Sequence, residues 1–120
     1  MMKPLFTMVR LDKEEVLKRF PPVHSQVWSH HSTIEWRPER LEVPVGERVD
    51  LQILGRLTTP KVDALLVKNP WSKNRYPHIT LSTAEGVPPV ESNRELEKHY
   101  DKIERLNLWI SGTISVQWQS

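Results

Sequence analysis

The order of elements along this chain predicts an α+β fold made of two comparable halves. Three observations carry the expectation. Strand-like and helix-like stretches follow one another as strand, helix, strand, then further strands, then strand, helix, strand. Each half holds one copy of the tripeptide His-x-Thr, at His31-Ser32-Thr33 and at His78-Ile79-Thr80. The strand-like stretches alternate polar and apolar residues, as half-buried antiparallel strands do. With 120 residues and no internal break, residues 1–120 read as a single domain large enough for a core without staples.

Each element has its own justification. Leu5 to Leu11 is β-prone and alternating. Asp12 then stands where a helix N-cap belongs, with Glu15 three residues later, and Val16, Leu17 and Phe20 share a helical face until Pro21-Pro22 ends it. Gln26 to Arg37 reads as a strand with His31, Thr33 and Glu35 on one face and His30, Ser32, Ile34 and Trp36 on the other. After a loop from Pro38 to Gly46, Arg48 to Leu57 alternates again. Pro60 marks a turn before the short apolar strand Val62 to Val67. Asn69 to Asn74 is turn-forming. Arg75 to Thr83 places Tyr76, His78, Thr80 and Ser82 on one face, with Ile79 and Leu81 on the other. Gly86 to Pro89 is a loop. Ser92, with Glu95 three residues on, predicts a second helix through about Arg105, its apolar face formed by Leu96, Tyr100, Ile103 and Leu106. Asn107 to Gln117 is a final strand, with Gly112 at a bulge or a close approach.

Composition narrows the chemistry. The absence of cysteine excludes disulfides, thiolate nucleophiles and cysteine-based zinc sites. It is compatible with a reducing cytoplasm, the expected location. No signal peptide is visible at the N-terminus, and no apolar run approaches a membrane span, so no membrane association is expected. A net charge of +2, with basic residues interleaved among acids, permits a polyanionic ligand without arguing for a large duplex-binding surface. Nothing points to an obligate protein partner.

The paired tripeptides carry the functional signal. On a strand, residues i and i+2 project to one face, so each His-x-Thr presents an imidazole beside a hydroxyl. Two such pairs facing each other suit a phosphate: the histidines move protons, and the hydroxyls hold its oxygens. The bland alternative is two unrelated strand histidines and two β-prone threonines. A metal is the competing use of histidine, but His24, His30, His31, His78 and His99 lack a compact ligand spacing and no carboxylate cluster accompanies them. No cofactor is therefore expected. Of the five tryptophans, Trp28 and Trp71 lie near the motifs, as does Tyr76; each is a candidate to stack on a base, with packing as the alternative. Arg56, Lys68, Lys73 and Arg75 offer charge for a phosphate or simply a solvated surface.

The run Tyr76-Pro77-His78-Ile79-Thr80-Leu81-Ser82-Thr83, continued by Ala84-Glu85-Gly86-Val87-Pro88-Pro89-Val90-Glu91-Ser92-Asn93, resembles the second motif of the two-histidine (2H) phosphoesterase superfamily. The likeness is to the RNA-repair-like branch of that superfamily. That branch includes the cyclic phosphodiesterase domain of fungal-type tRNA ligases and the Swiss-army-knife RNA repair proteins. Leu108-Trp109-Ile110-Ser111-Gly112-Thr113-Ile114 resembles the strand that follows there, and Ile34 after the first His-x-Thr also fits; Ser32, at a middle position more often apolar, departs from the pattern. The resemblance implies a two-lobed fold, with antiparallel β-rich lobes around a central groove and one main helix per lobe. It implies metal-independent hydrolysis of a cyclic phosphate, with His31, Thr33, His78 and Thr80 as catalytic residues. The favoured substrate is an RNA 2′,3′-cyclic phosphate end, opened to a 2′-phosphate. Small cyclic nucleotides or cyclic oligonucleotide signals are the alternative substrates, and a non-catalytic nucleotide- or RNA-binding domain is the alternative outside enzymes. Two imidazoles near pKa 6.5 predict a bell-shaped profile around neutrality. The sequence does not distinguish base from acid.

Overall fold

The Asp12 side chain accepts hydrogen bonds from the amides of Glu14 and Glu15, so the cap read from sequence starts the first helix as expected. The computed structural model describes residues 2–119. Its elements are β1 (Lys3–Arg10), α1 (Lys13–Arg19), β2 (Gln26–Val27), β3 (His31–Trp36), β4 (Arg48–Thr58), β5 (Val62–Lys68), β6 (His78–Thr83), α2 (Glu91–Lys98), a 3-10 turn at Tyr100–Lys102, and β7 (Glu104–Gln119).

All seven strands form one antiparallel sheet in the order β2-β6-β5-β4-β7-β1-β3. This overturns the expected two-lobed fold with a groove between lobes and a main helix in each. The cause is β7. Its 16 residues pair with β4 on one side and with β1 on the other, knitting both halves of the chain into a single sheet. The helices are short, seven and eight residues, and act as covers on this sheet.

The second helix ends well before Arg105. The backbone pairing of Glu104 and Arg105 with Arg56 and Gly55 of β4 draws that segment into β7, and the ladder outweighs the helical spacing of Ile103 and Leu106. Ile103 still joins Leu96 in one apolar cluster, with Leu57 and Leu66. Ser92 is not the cap either. Val90 holds that position, and Ser92 is buried with its hydroxyl turned to β6.

The sheet curls until β3, at one end of the strand order, packs beside β6 near the other. The main core lies inside the curl: Val9, Ile34, Leu51, Ile53, Leu65, Ile79, Leu81, Ile110 and Ile114, closed by Val16 and Phe20 from the α1 region. A smaller cluster under α2 covers the opposite face of β4 and β5. A buried ion pair braces one end. Asp63, fully buried, takes two hydrogen bonds from the Arg56 guanidinium at 2.9 and 2.8 Å and one from Thr58 at 3.1 Å. Arg56 also donates to the Pro21 carbonyl at 3.0 Å, tying the segment after α1 to the sheet. It is a structural cation, no longer a candidate for substrate charge.

Gly112 marks a close approach, as the sequence suggests. A Cβ there would stand 2.6 Å from the Arg10 carbonyl oxygen and 2.6 Å from Val9 Cγ1. Gly112→Ala is expected to destabilise the fold by about 1–3 kcal/mol through overpacking against β1, measurable as a lower urea midpoint. Gly46→Ala, with open space at its Cβ but a φ of +94°, separates backbone strain from crowding.

Candidate functional site

The two His-x-Thr strands meet where the sheet closes. Gln26 and Val27 pair with Thr83 and Ser82, and the Trp28 and Ser29 amides donate to the carbonyls of Leu81 and Thr80, both at 2.9 Å. Ser29 then adopts φ 55°, and the chain leaves β6 for β1: the Leu11 amide donates to the His30 carbonyl at 2.9 Å, and Arg10 pairs with His31. One segment thus pairs with both ends of the strand order. Continuing its register along β6 brings His31 to the level of His78, and the two imidazoles are close enough that His78 disfavours a proton on His31.

Both motif strands break their alternation immediately after the threonine. Thr7 pairs with Glu35 and Met8 with Thr33, leaving Ile34 as a bulged residue; Asp63 pairs with Ser82 and Ala64 with Thr80, leaving Leu81 as another. Ile34 and Leu81 keep the apolar core face expected of them, but the faces read from strict alternation are wrong beyond each bulge. Glu35 lines a concavity with Thr7 and Ile34 instead of joining His31. Ser82 turns to Asp63 instead of joining His78 and Thr80. Trp36 moves to the His31 face, where it stacks on Phe6, which in turn lies against the His31 ring.

Each catalytic candidate has a defined environment. His78 is only 8% exposed, and its Nδ1–H donates to the Tyr76 carbonyl at 2.8 Å. A carbonyl only accepts, so the neutral ring carries its lone pair on Nε2. Burial lowers the His78 pKa, and the Tyr76 hydrogen bond opposes this in part. His31 is stacked on His30 with ring centroids 4.6 Å apart, and their Nδ1 atoms share a hydrogen bond of 2.7 Å. Burial, then His30, His78 and Arg10, push the His31 pKa down to about 4. His30 is lowered as well, by burial and by Lys13 and Arg10. These shifts correct the expectation of two imidazoles near 6.5: the resting site holds neutral rings at pH 7.

Thr80, also 8% exposed, shares a hydrogen bond of 2.9 Å with the Ser92 hydroxyl, so α2 holds it. With Ser92 donating, the Thr80 hydroxyl donates to the Pro89 carbonyl at 3.4 Å, a long bond that it must give up to reach a ligand. The Thr33 hydroxyl, half-buried, has no partner among the described residues; its carbonyl accepts from the Ser72 hydroxyl at 2.9 Å.

The expected base-stacking residues fare differently. Trp28 is half-buried and its indole N–H donates to the Thr83 hydroxyl at 3.1 Å, which fixes it against β6. Trp71 lines a concavity of about 160 Å³ with Glu35, Arg40 and Lys73, apart from the histidines. Tyr76 reaches His78 through its carbonyl, while its ring packs near Tyr100 in a cleft of about 340 Å³ that also contains Lys68 and Arg75. Arg75 pairs with Glu97 at 3.2 Å. Neither concavity is lined by the four catalytic candidates. Phe6 and Trp36 escape sequence reading; the signal that finds them is the bulge at Ile34.

Among the described residues no group of three or more histidines and carboxylates is placed to hold a metal ion, and no helix is long and apolar enough to cross a membrane. No protein-family model matches the chain, and no curated protein matches it.

The depressed His31 pKa has a consequence for stability. Between pH 6.5 and about 4 the unfolded chain binds a proton at His31 that the folded chain refuses, so stability present above pH 6.5 is lost as the pH falls through that window. The loss from this residue is at most about 3 kcal/mol. Urea melts from pH 7 to pH 4 are expected to show a shallower decline for His31→Asn than for the unaltered protein.

Proposed function

We propose that this protein is a metal-independent phosphoesterase of the two-histidine type that opens a cyclic phosphate, most fittingly an RNA 2′,3′-cyclic phosphate end, to leave a 2′-phosphate. A cytoplasmic setting belongs to the same proposal. The observation that carries the reading is the meeting of both His-x-Thr strands at the closing seam, where the register along β6 brings His31 to the level of His78.

In this mechanism the His78 Nε2 lone pair takes a proton from water as the water oxygen attacks phosphorus. The bond from phosphorus to the 3′ oxygen breaks, and that oxygen takes a proton from the His31 imidazolium. The Tyr76 carbonyl fixes the His78 tautomer, which favours His78 as base. His30 can accept the Nδ1–H of a protonated His31, leaving His31 Nε2–H for the substrate. The anionic phosphate offsets the charge that the neutral site resists. Thr33 and Thr80 donate to the non-bridging oxygens.

A binding domain without turnover is the second reading. It is favoured by the burial of His78 and the engagement of Thr80 with Ser92. Assay of cyclic-phosphate RNA, cyclic mononucleotides and cyclic oligonucleotides separates the two; no hydrolysis of any leaves only binding.

Two outcomes are expected if the enzyme reading holds. Because both histidine pKa values lie below 6.5, kcat/KM should peak on the acid side of neutrality and fall by up to tenfold per pH unit above about 7, as steady-state rates across pH 4.5–8.5 will show. His78→Asn keeps a donor for the Tyr76 carbonyl but removes Nε2, so turnover should drop by roughly 100-fold or more. The alanine variant is less informative: all six residues of β6 are buried, where the sequence predicts a half-buried strand, and thermal melting should show His78→Ala to be destabilised.

A further inference from the structure

The His31 ring belongs to a row of rings. His30 lies 4.6 Å from His31, His31 lies 5.2 Å from Phe6, and Phe6 lies 5.5 Å from Trp36, centroid to centroid. Trp36 is 59% exposed, although a large indole on a small domain ordinarily buries most of its surface. The Arg37 guanidinium sits over its ring at 5.9 Å. The Arg37 backbone has φ 48° and its amide donates to the Leu5 carbonyl at 2.7 Å, so this end of the row is anchored to β1. Arg10, beside the histidines, supplies positive charge at the other end.

Aromatic faces in sequence beside cations are how proteins hold unpaired nucleotides, since every base has a π-face and every linkage a negative charge. A phosphate held at His31 sets its own nucleoside beside Phe6, whose ring centroid lies 5.2 Å from that of His31. Trp36 is a further ring-to-ring step away, beyond that nucleotide. We infer that Phe6, Trp36 and Arg37 form a track for the single-stranded RNA segment preceding the reacting end, with the penultimate base stacked on Trp36. The inference rests on the phosphoesterase reading for its polarity and names the substrate class of that site: a strand, not a mononucleotide or a small cyclic signal.

The test compares a nucleoside 2′,3′-cyclic phosphate with single-stranded RNAs of two, four and eight nucleotides carrying the same end. For the unaltered protein, kcat/KM should rise at least tenfold from the mononucleotide to the longer strands. Trp36→Ala should cut that length advantage to threefold or less, and Trp36→Phe should restore most of it. A flat length dependence, or an advantage untouched by Trp36→Ala, overturns the track. Binding is read separately, by anisotropy of a labelled eight-nucleotide RNA ending in a 2′-phosphate. Should no cyclic phosphate be hydrolysed while Trp36→Ala still weakens this binding about tenfold or more, the track stands and the catalytic reading falls. Equal binding by both proteins in that case overturns the track too.

Discussion

The architecture depends on one segment that changes partners. Residues 26–29 pair with β6, Ser29 turns the chain through a left-handed conformation, and residues 31–36 pair with β1. Without that switch the strand order would end in two free edges, and β3 and β6 would lie far apart. With it, the backbone amides and carbonyls of both edges find partners, and the curled sheet encloses its core. The motif histidines come together as a by-product of the same hydrogen bonds. The closure of the sheet and the approach of the two motif strands are thus one structural fact.

Local features were legible where local physics decides them. Asp12 caps α1, Pro21-Pro22 follows its end, and Gly112 sits at a close approach, all as the residues imply. What escaped was decided at long range. The helical spacing of Leu96, Tyr100 and Ile103 is real, yet pairing with β4 claims the chain from Glu104 onward. The two-lobed expectation failed for a similar reason: nothing in the composition of residues 104–119 announces that they will run the length of the sheet between β4 and β1.

The faces of the motif strands were legible up to each bulge and misread after it. No bulge interrupts either ladder between the histidine and its threonine, so the period-two argument applies to His31 with Thr33 and to His78 with Thr80. The bulges at Ile34 and Leu81 then inverted every later assignment, taking Glu35 and Ser82 away from the histidines and bringing Trp36 toward them. A period-two argument carries no information past such an insertion. The electrostatics were also out of reach, because the lowered pKa of each imidazole comes chiefly from burial, and for His31 also from its charged neighbours, which only folding supplies.

The place of β7 in the sheet bears on how the protein is made. This strand is the last of the seven to leave the ribosome, yet it lies in the interior of the strand order, with β4 and β1 as its neighbours. Until it emerges, β1 has β3 alone to pair with, and one edge of β4 stays open. Contacts of such sequence separation make folding slow. The nascent chain therefore carries exposed strand edges until residues 104–119 have emerged, the condition in which unpaired strands find wrong partners.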